Sequence, residues 1–241
     1  MFNKTTRNVA ALLFAFGTAL TGFTPLKGDD TVQNPPAPAG IKIDGSLSEW
    51  GGLVTKYDEA TRLYYAVSND SQNLYLAVRS ESKQDLAKIA LSGITLSVNT
   101  DGKKKEGASA TFPIISRQRS QGSNADSILK QRITSAKEIR IRGFKQLPDG
   151  GISVANDYGI IAAASLNDNR HFIYELAIPL KHLDLTAADP RPIAIQIKYN
   201  RANPAPAQSF STGMGGYGRW RSAPSRNEPE GFWIKRTLRD K

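Results

Sequence analysis

The sequence predicts an all-β fold, a single antiparallel β-sandwich with a long irregular loop near residues 200–230. Three observations carry this. Short segments alternate apolar and polar residues with period two, as in Leu74, Leu76 and Val78 against Tyr75, Ala77 and Arg79. Polar or glycine-bearing turns punctuate them, such as Ser68-Asn69-Asp70-Ser71-Gln72-Asn73 and Leu147-Pro148-Asp149-Gly150-Gly151. Sustained helical periodicity is weak, and the strand–helix rhythm of a parallel sheet is missing.

In chain order, Leu63-Tyr64-Tyr65-Ala66-Val67 and Leu74–Val78 read as a hairpin around that first turn. Ser82–Leu91 reads as a turn or two of helix. Ile94, Leu96 and Val98 alternate with Thr95, Ser97 and Asn99, and the strand stops at Thr100-Asp101-Gly102. Asn124–Ser135 is a second short helix. Ile139 and Ile141 alternate with Arg140 and Arg142, and Ile152–Ala164 reads as one long or bent strand. Phe172–Ile178, Ile193–Ile197 and Phe232–Leu238 complete the set. This makes roughly eight to ten strands, the number and spacing of a sandwich or barrel.

The ends and the composition bound the setting. Lys4 and Arg7 precede an apolar run, Val9 to Phe16, and then the small residues Gly17, Thr18, Ala19, Thr21 and Gly22, so residues 1–23 read as a secretory signal. Leu20-Thr21-Gly22-Phe23 has the look of a lipoprotein box with Phe23 in place of the acylated Cys, so the expectation is an exported protein, periplasmic or extracellular, without a lipid anchor or a transmembrane segment. Residues 24–40, with Asn34-Pro35-Pro36-Ala37-Pro38-Ala39-Gly40, read as a Pro-rich linker, and the domain is expected over 41–241. The 241 residues contain no cysteine, which excludes disulfides, thiolate metal sites and thiol catalysis. Lys and Arg number 32 against 22 Asp and Glu, a net charge of +10 that favours anionic partners without naming one. Arg117, Arg119, Lys130, Arg132, Lys137, Arg140, Arg142 and Lys145 form a basic band. Phe144 is the one aromatic residue among these charges, too few for base stacking, so nucleic acid is not expected and a solvated sheet face is the plainer reading.

Ile41-Lys42-Ile43-Asp44-Gly45-Ser46-Leu47-Ser48-Glu49-Trp50 resembles the opening of the family 9 carbohydrate-binding modules and, more broadly, of the DOMON-like β-sandwich group. Further features follow in the same order: Asn69-Asp70 before Leu74-Tyr75-Leu76, then Asn99-Thr100-Asp101-Gly102-Lys103-Lys104, Tyr174-Glu175-Leu176-Ala177-Ile178-Pro179-Leu180 and Gly231-Phe232-Trp233. The resemblance spans about Ile41 to Leu238. It implies an immunoglobulin-like or jelly-roll-like sandwich in which aromatic side chains clamp a sugar and calcium braces loops. It also places Trp50 in the framework rather than at the ligand.

Candidate site residues follow. Trp220 sits in Met214-Gly215-Gly216-Tyr217-Gly218-Arg219-Trp220-Arg221, where glycines permit close backbone approach. An exposed indole there stacks on a sugar ring, with Tyr217 beside it and Arg219 and Arg221 as hydrogen-bond donors; a Trp220 folded back onto the core is the alternative. Trp50 and Trp233 read as core or core-rim residues. Asp70 and Asp101, with Asp44 and Asp58, offer oxygen ligands for calcium, although Asn69-Asp70 and Asp101-Gly102 are ordinary turn chemistry. His171 and His182 are the two histidines, and with Met214 they bear on a haem-binding alternative. No Gly-x-Ser-x-Gly elbow or phosphate loop is present, so a non-catalytic binding domain is expected rather than an enzyme. The leading reading is exported carbohydrate binding, neutral or anionic. The alternatives are an envelope domain that meets a protein or an anionic surface, and a haem-binding domain.

Overall fold

The computed structural model describes residues 31–114, 125–200 and 231–240. Among these, two sheets face each other. The first has five strands. β2 (Lys56–Asp58), β3 (Leu63–Asn69), β4 (Asn73–Ser80), β10 (Phe172–Pro179) and β9 (Ile161–Leu166) lie side by side in that order. The second has seven strands, in the order β1 (Val32–Gln33), β12 (Gly231–Thr237), β11 (Ile193–Tyr199), β5 (Ile94–Asn99), β6 (Ala108–Phe112), β7 (Glu138–Arg142) and β8 (Gly150–Ser153). All pairings are antiparallel except that of β1 with β12. This is the all-β sandwich that the alternation predicts.

The core lies between the sheets. Leu74, Leu76 and Val78 of β4, Phe172, Tyr174, Leu176 and Ile178 of β10, and Ile193, Ile195 and Ile197 of β11 all turn inward and are buried. Truncating one of these aliphatic side chains to Ala costs about 2–5 kcal/mol. Two helices, α1 (Lys83–Ser92) and α2 (Ala125–Thr134), join β4 to β5 and β6 to β7. Ser82 caps α1 by accepting the Asp85 N–H. No helix among the described residues is long and apolar enough to cross a membrane.

Three sequence expectations change. Ile152–Ala164 is not one strand: β8 ends at Ser153 in one sheet and β9 begins at Ile161 in the other. The Asn156 side chain donates to the carbonyls of Ser153 (2.8 Å) and Ile160 (2.7 Å), and Gly159 takes φ +76°, so the chain turns there and changes layer. β6 was not foreseen because Ala108-Ser109-Ala110-Thr111-Phe112 has small side chains and little contrast. The described part of the Pro-rich stretch does form a ladder, though a short one. Val32 and Gln33 pair with Arg236 and Thr237, and Pro36 bridges Asn69.

Asn69 joins three parts of the chain at this point. Its Oδ1 accepts from Asn34 Nδ2 (3.2 Å) and the Arg239 N–H (3.0 Å), and its Nδ2 donates to the carbonyls of Asp70 (3.0 Å) and Arg239 (2.9 Å).

Candidate functional site

The outer face of the five-stranded sheet is shaped by its middle. Ala66, Ala77 and Ala177 point outward there and leave a trough, and residues 37–54 cross it as a strap. Trp50 fills the trough and is fully buried, with Ile41, Ile43, Leu47 and Leu53 packed around it. Glu175 lies in the same trough, with no exposed surface. Its Oε1 accepts the Trp50 indole N–H at 2.7 Å, and its Oε2 accepts the backbone N–H groups of Gly45 (2.7 Å), Asp44 (3.1 Å) and Ser46 (3.2 Å). Burial pushes the Glu175 carboxyl up, while the indole and amide donors oppose that shift. Gly45 has φ +85°, the conformation an Asp-Gly turn supplies cheaply, and this turn aims the three N–H groups at one oxygen. The opening Asp44-Gly45 and Trp50, together with Glu175, are therefore framework, as the resemblance implied for Trp50.

The strap leaves the β2 side of this face open. The antiparallel register sets Tyr57 of β2, Tyr64 of β3 and Arg79 of β4 in one row across the sheet. Tyr57 is 47% exposed, and its ring lies 4.7 Å from that of Tyr64. The Arg79 guanidinium lies over the Tyr64 ring, 4.4 Å from its centroid, and reaches Glu81 at 3.2 Å. Between this row and the strap is a hollow of about 350 Å³, lined by Leu47, Trp50, Gly52, Val54, Thr55, Tyr64 and Arg79. That volume is at the small end of the range for sites that hold small molecules, ~300–1,000 Å³. Exposed Tyr57 and half-buried Tyr64 supply a flat apolar surface, the Arg79–Glu81 pair supplies hydrogen-bond donors and acceptors, and Thr55 contributes a hydroxyl.

The residues expected from the sequence are placed as follows. Trp220, Tyr217, Arg219, Arg221 and Met214 lie outside the described residues; the strands that flank their segment, β11 and β12, end at Tyr199 and begin at Gly231. Arg117 and Arg119 also lie outside them. Trp233, on β12, is half-buried. Asp70 closes its own turn, its Oδ1 accepting the N–H groups of Gln72 and Asn73 (both 2.7 Å) and its Oδ2 the Tyr75 hydroxyl (2.7 Å). Burial, and then this bond to Asp70, push the Tyr75 hydroxyl up to about 12. Asp101 is exposed and meets Lys103 at 3.6 Å. Asp44 and Asp58 likewise accept bonds within their own turns, from the Ser46 N–H and from Thr61. The four carboxylates thus serve four separate turns, and among the described residues no three acidic or histidine side chains gather as a metal site. His182 is buried, with Nε2 2.8 Å from the Tyr158 carbonyl, while His171 is half-buried at the turn before β10.

Tyr57, Tyr64 and Arg79 were missed as a group. Tyr64 and Arg79 were visible as outward positions of alternating strands, but their meeting depends on register. The three-residue strand that delivers Tyr57 leaves almost no periodic signal.

No protein-family model matches the chain, and no curated protein matches it. Among solved structures, it is similar to a family 9 carbohydrate-binding module from Caldicellulosiruptor kristjanssonii in complex with glucose, with a TM-score of 0.35 and 12% identity over 73% of this chain and 79% of that one. A likeness of that size says nothing about the site.

Proposed function

We propose that the protein is an exported, non-catalytic carbohydrate-binding domain, and that a sugar ring sits in the hollow against Tyr57 and Tyr64. One observation carries the reading. Half-buried Tyr64 and Arg79 line a preformed hollow of about 350 Å³, and exposed Tyr57 packs on Tyr64 beside it. A sugar needs that combination, because its C–H face stacks on a ring while its hydroxyls require donors and acceptors at the edge. The opening motif and its ordered companions, which resemble family 9 carbohydrate-binding modules, support the same class. The n-region and apolar run of residues 1–23 support export. Trp220, with Tyr217, Arg219 and Arg221, is proposed as a second aromatic contact.

The test is a glycan-array screen of the purified chain, followed by titration of the hits into the wild type and Tyr57→Ala. Specific binding that weakens about tenfold in the variant supports the reading, because losing one stacking face costs about 1–1.5 kcal/mol. A blank array, or hits that bind the variant unchanged, removes the sugar from this hollow.

A further inference from the structure

The chain's net charge of +10 favours anionic partners, but the hollow does not share that charge. Arg79 is the charged residue that lines it, and Glu81 meets the Arg79 guanidinium at 3.2 Å. Both follow from the alternation of β4 and its exit: Arg79 points outward beside Tyr64, and Glu81 emerges just beyond Ser80, the last residue of the strand. Their side chains are 31% and 42% exposed, so both stand at the rim where a ligand arrives. Tyr64 occupies one face of the guanidinium, so a ligand meets its edge, next to the Glu81 carboxylate.

We propose that Glu81 is the residue that sets the charge preference of this site: it cancels the attraction of Arg79 for a carboxylate, so the hollow favours a neutral pyranose over a uronate. This rests on the carbohydrate reading above and names the substrate class of the same site. Vicinal hydroxyls of a neutral sugar satisfy both partners, accepting from Arg79 and donating to Glu81. A uronate gains from Arg79 but faces Glu81 at nearly the same distance, so the two charges offset each other. Replacing Glu81 by Gln keeps the shape and the acceptor oxygen while changing the local charge from zero to +1. Because the pair is half-exposed, the screening is close to that of water, and the effect is about fivefold rather than thousands-fold.

The experiment compares methyl β-glucoside with methyl β-glucuronide, which differ at C6 by the carboxylate, using ligand-observed NMR titration of the purified chain and of Glu81→Gln. The expected wild type binds the glucoside more tightly. Glu81→Gln then gains about fivefold or more for the glucuronide, moves less than about threefold for the glucoside, and loses the gain between ~50 and ~300 mM salt as screening shortens. If the wild type binds the glucoside and Glu81→Gln leaves the ratio of the two affinities unchanged, the inference is overturned and the carbohydrate reading stands. A wild type that prefers the glucuronide overturns it too. A wild type that binds neither sugar, on the array or by NMR, overturns both.

Discussion

Trp50 donates its indole N–H to Oε1 of Glu175 at 2.7 Å, joining residues 125 positions apart. This bond fixes the strap to the sheet, because the other oxygen of the same carboxylate takes three backbone N–H groups of the Asp44-Gly45-Ser46 turn. The candidate hollow is bounded on one side by that strap, so the architecture of the site depends on Glu175, which is fully buried and does not line the hollow.

Glu175→Gln isolates this dependence. An amide can offer one oxygen to the three backbone donors, but its NH₂ then faces the Trp50 indole N–H, donor against donor. With a buried donor unpaired, the loss is about 1–3 kcal/mol. Thermal unfolding followed by circular dichroism should show Tm lower by roughly 2–12 °C, given ~2–4 °C per kcal/mol at this chain length. A Tm within 1 °C of the wild type would show that the strap is held by apolar packing alone.

Asn69 gives a second framework prediction. Asn69→Asp keeps the oxygen that receives Asn34 and Arg239 but removes both donations, to the carbonyls of Asp70 and Arg239, and places a charge at a residue 1% exposed. Neither Asp nor Ala replaces the amide, so both variants should lose about 2–4 kcal/mol in denaturant unfolding. If Asn69→Ala is neutral, the tie between the two chain ends and β3 contributes nothing to stability.

These side chains also show what the sequence could disclose. Asn69, Trp50 and Glu175 all lie in the segments singled out from the sequence for their motif order, and all three prove to be joints of the frame. Strands such as β4 and β11 were legible because every second residue is large and apolar and both sheets share one core. β6 was not, since Ala108 and Ala110 pack inward without the bulk that marks a strand. Residues 152–164 misled because apolar residues continue on both sides of a layer change, and the turn at Asn156–Gly159 is made by one side-chain amide. The hollow was least legible. Tyr64 and Arg79 are 15 positions apart and Tyr57 comes from a third strand, so only pairing register brings them into one row.

That row makes its own prediction. Tyr64→Ala removes the ring that both Tyr57 and Arg79 lean on, whereas Tyr57→Ala removes only the outer ring. Affinity for a bound glycan should fall more in Tyr64→Ala than in Tyr57→Ala, by roughly a further three- to tenfold. Arg79→Gln should weaken binding as well, through lost hydrogen bonds. Isothermal titration of the three variants checks the order, and equal losses at positions 57 and 64 would mean that Tyr64 is only a support for the strap.

The acid limb of stability should depend on Asp85. Its side chain is 1% exposed, and Arg62 grips it with two bonds, Nε to Oδ2 at 2.9 Å and a terminal nitrogen to Oδ1 at 2.6 Å. Burial raises the Asp85 carboxyl, but the bonds from Arg62 and Ser82 and the charges of Arg62 and Lys88 outweigh it, so the group titrates below its ordinary value. A carboxyl depressed in the folded state binds fewer protons there than in the unfolded chain. Its contribution to stability is therefore complete above the unfolded value, near pH 3.9, and is lost as pH falls through the lower folded value. Asp85→Asn should lower stability at pH 7 by about 1–3 kcal/mol, since the buried amide cannot match both Arg62 donors. It should also flatten the fall in stability below about pH 4 relative to the wild type. Urea unfolding midpoints at pH 7, 5, 4 and 3 measure both. Parallel curves for the two proteins through the acid range would show that other carboxylates set the acid limb and that the Arg62 grip makes no pH-dependent contribution.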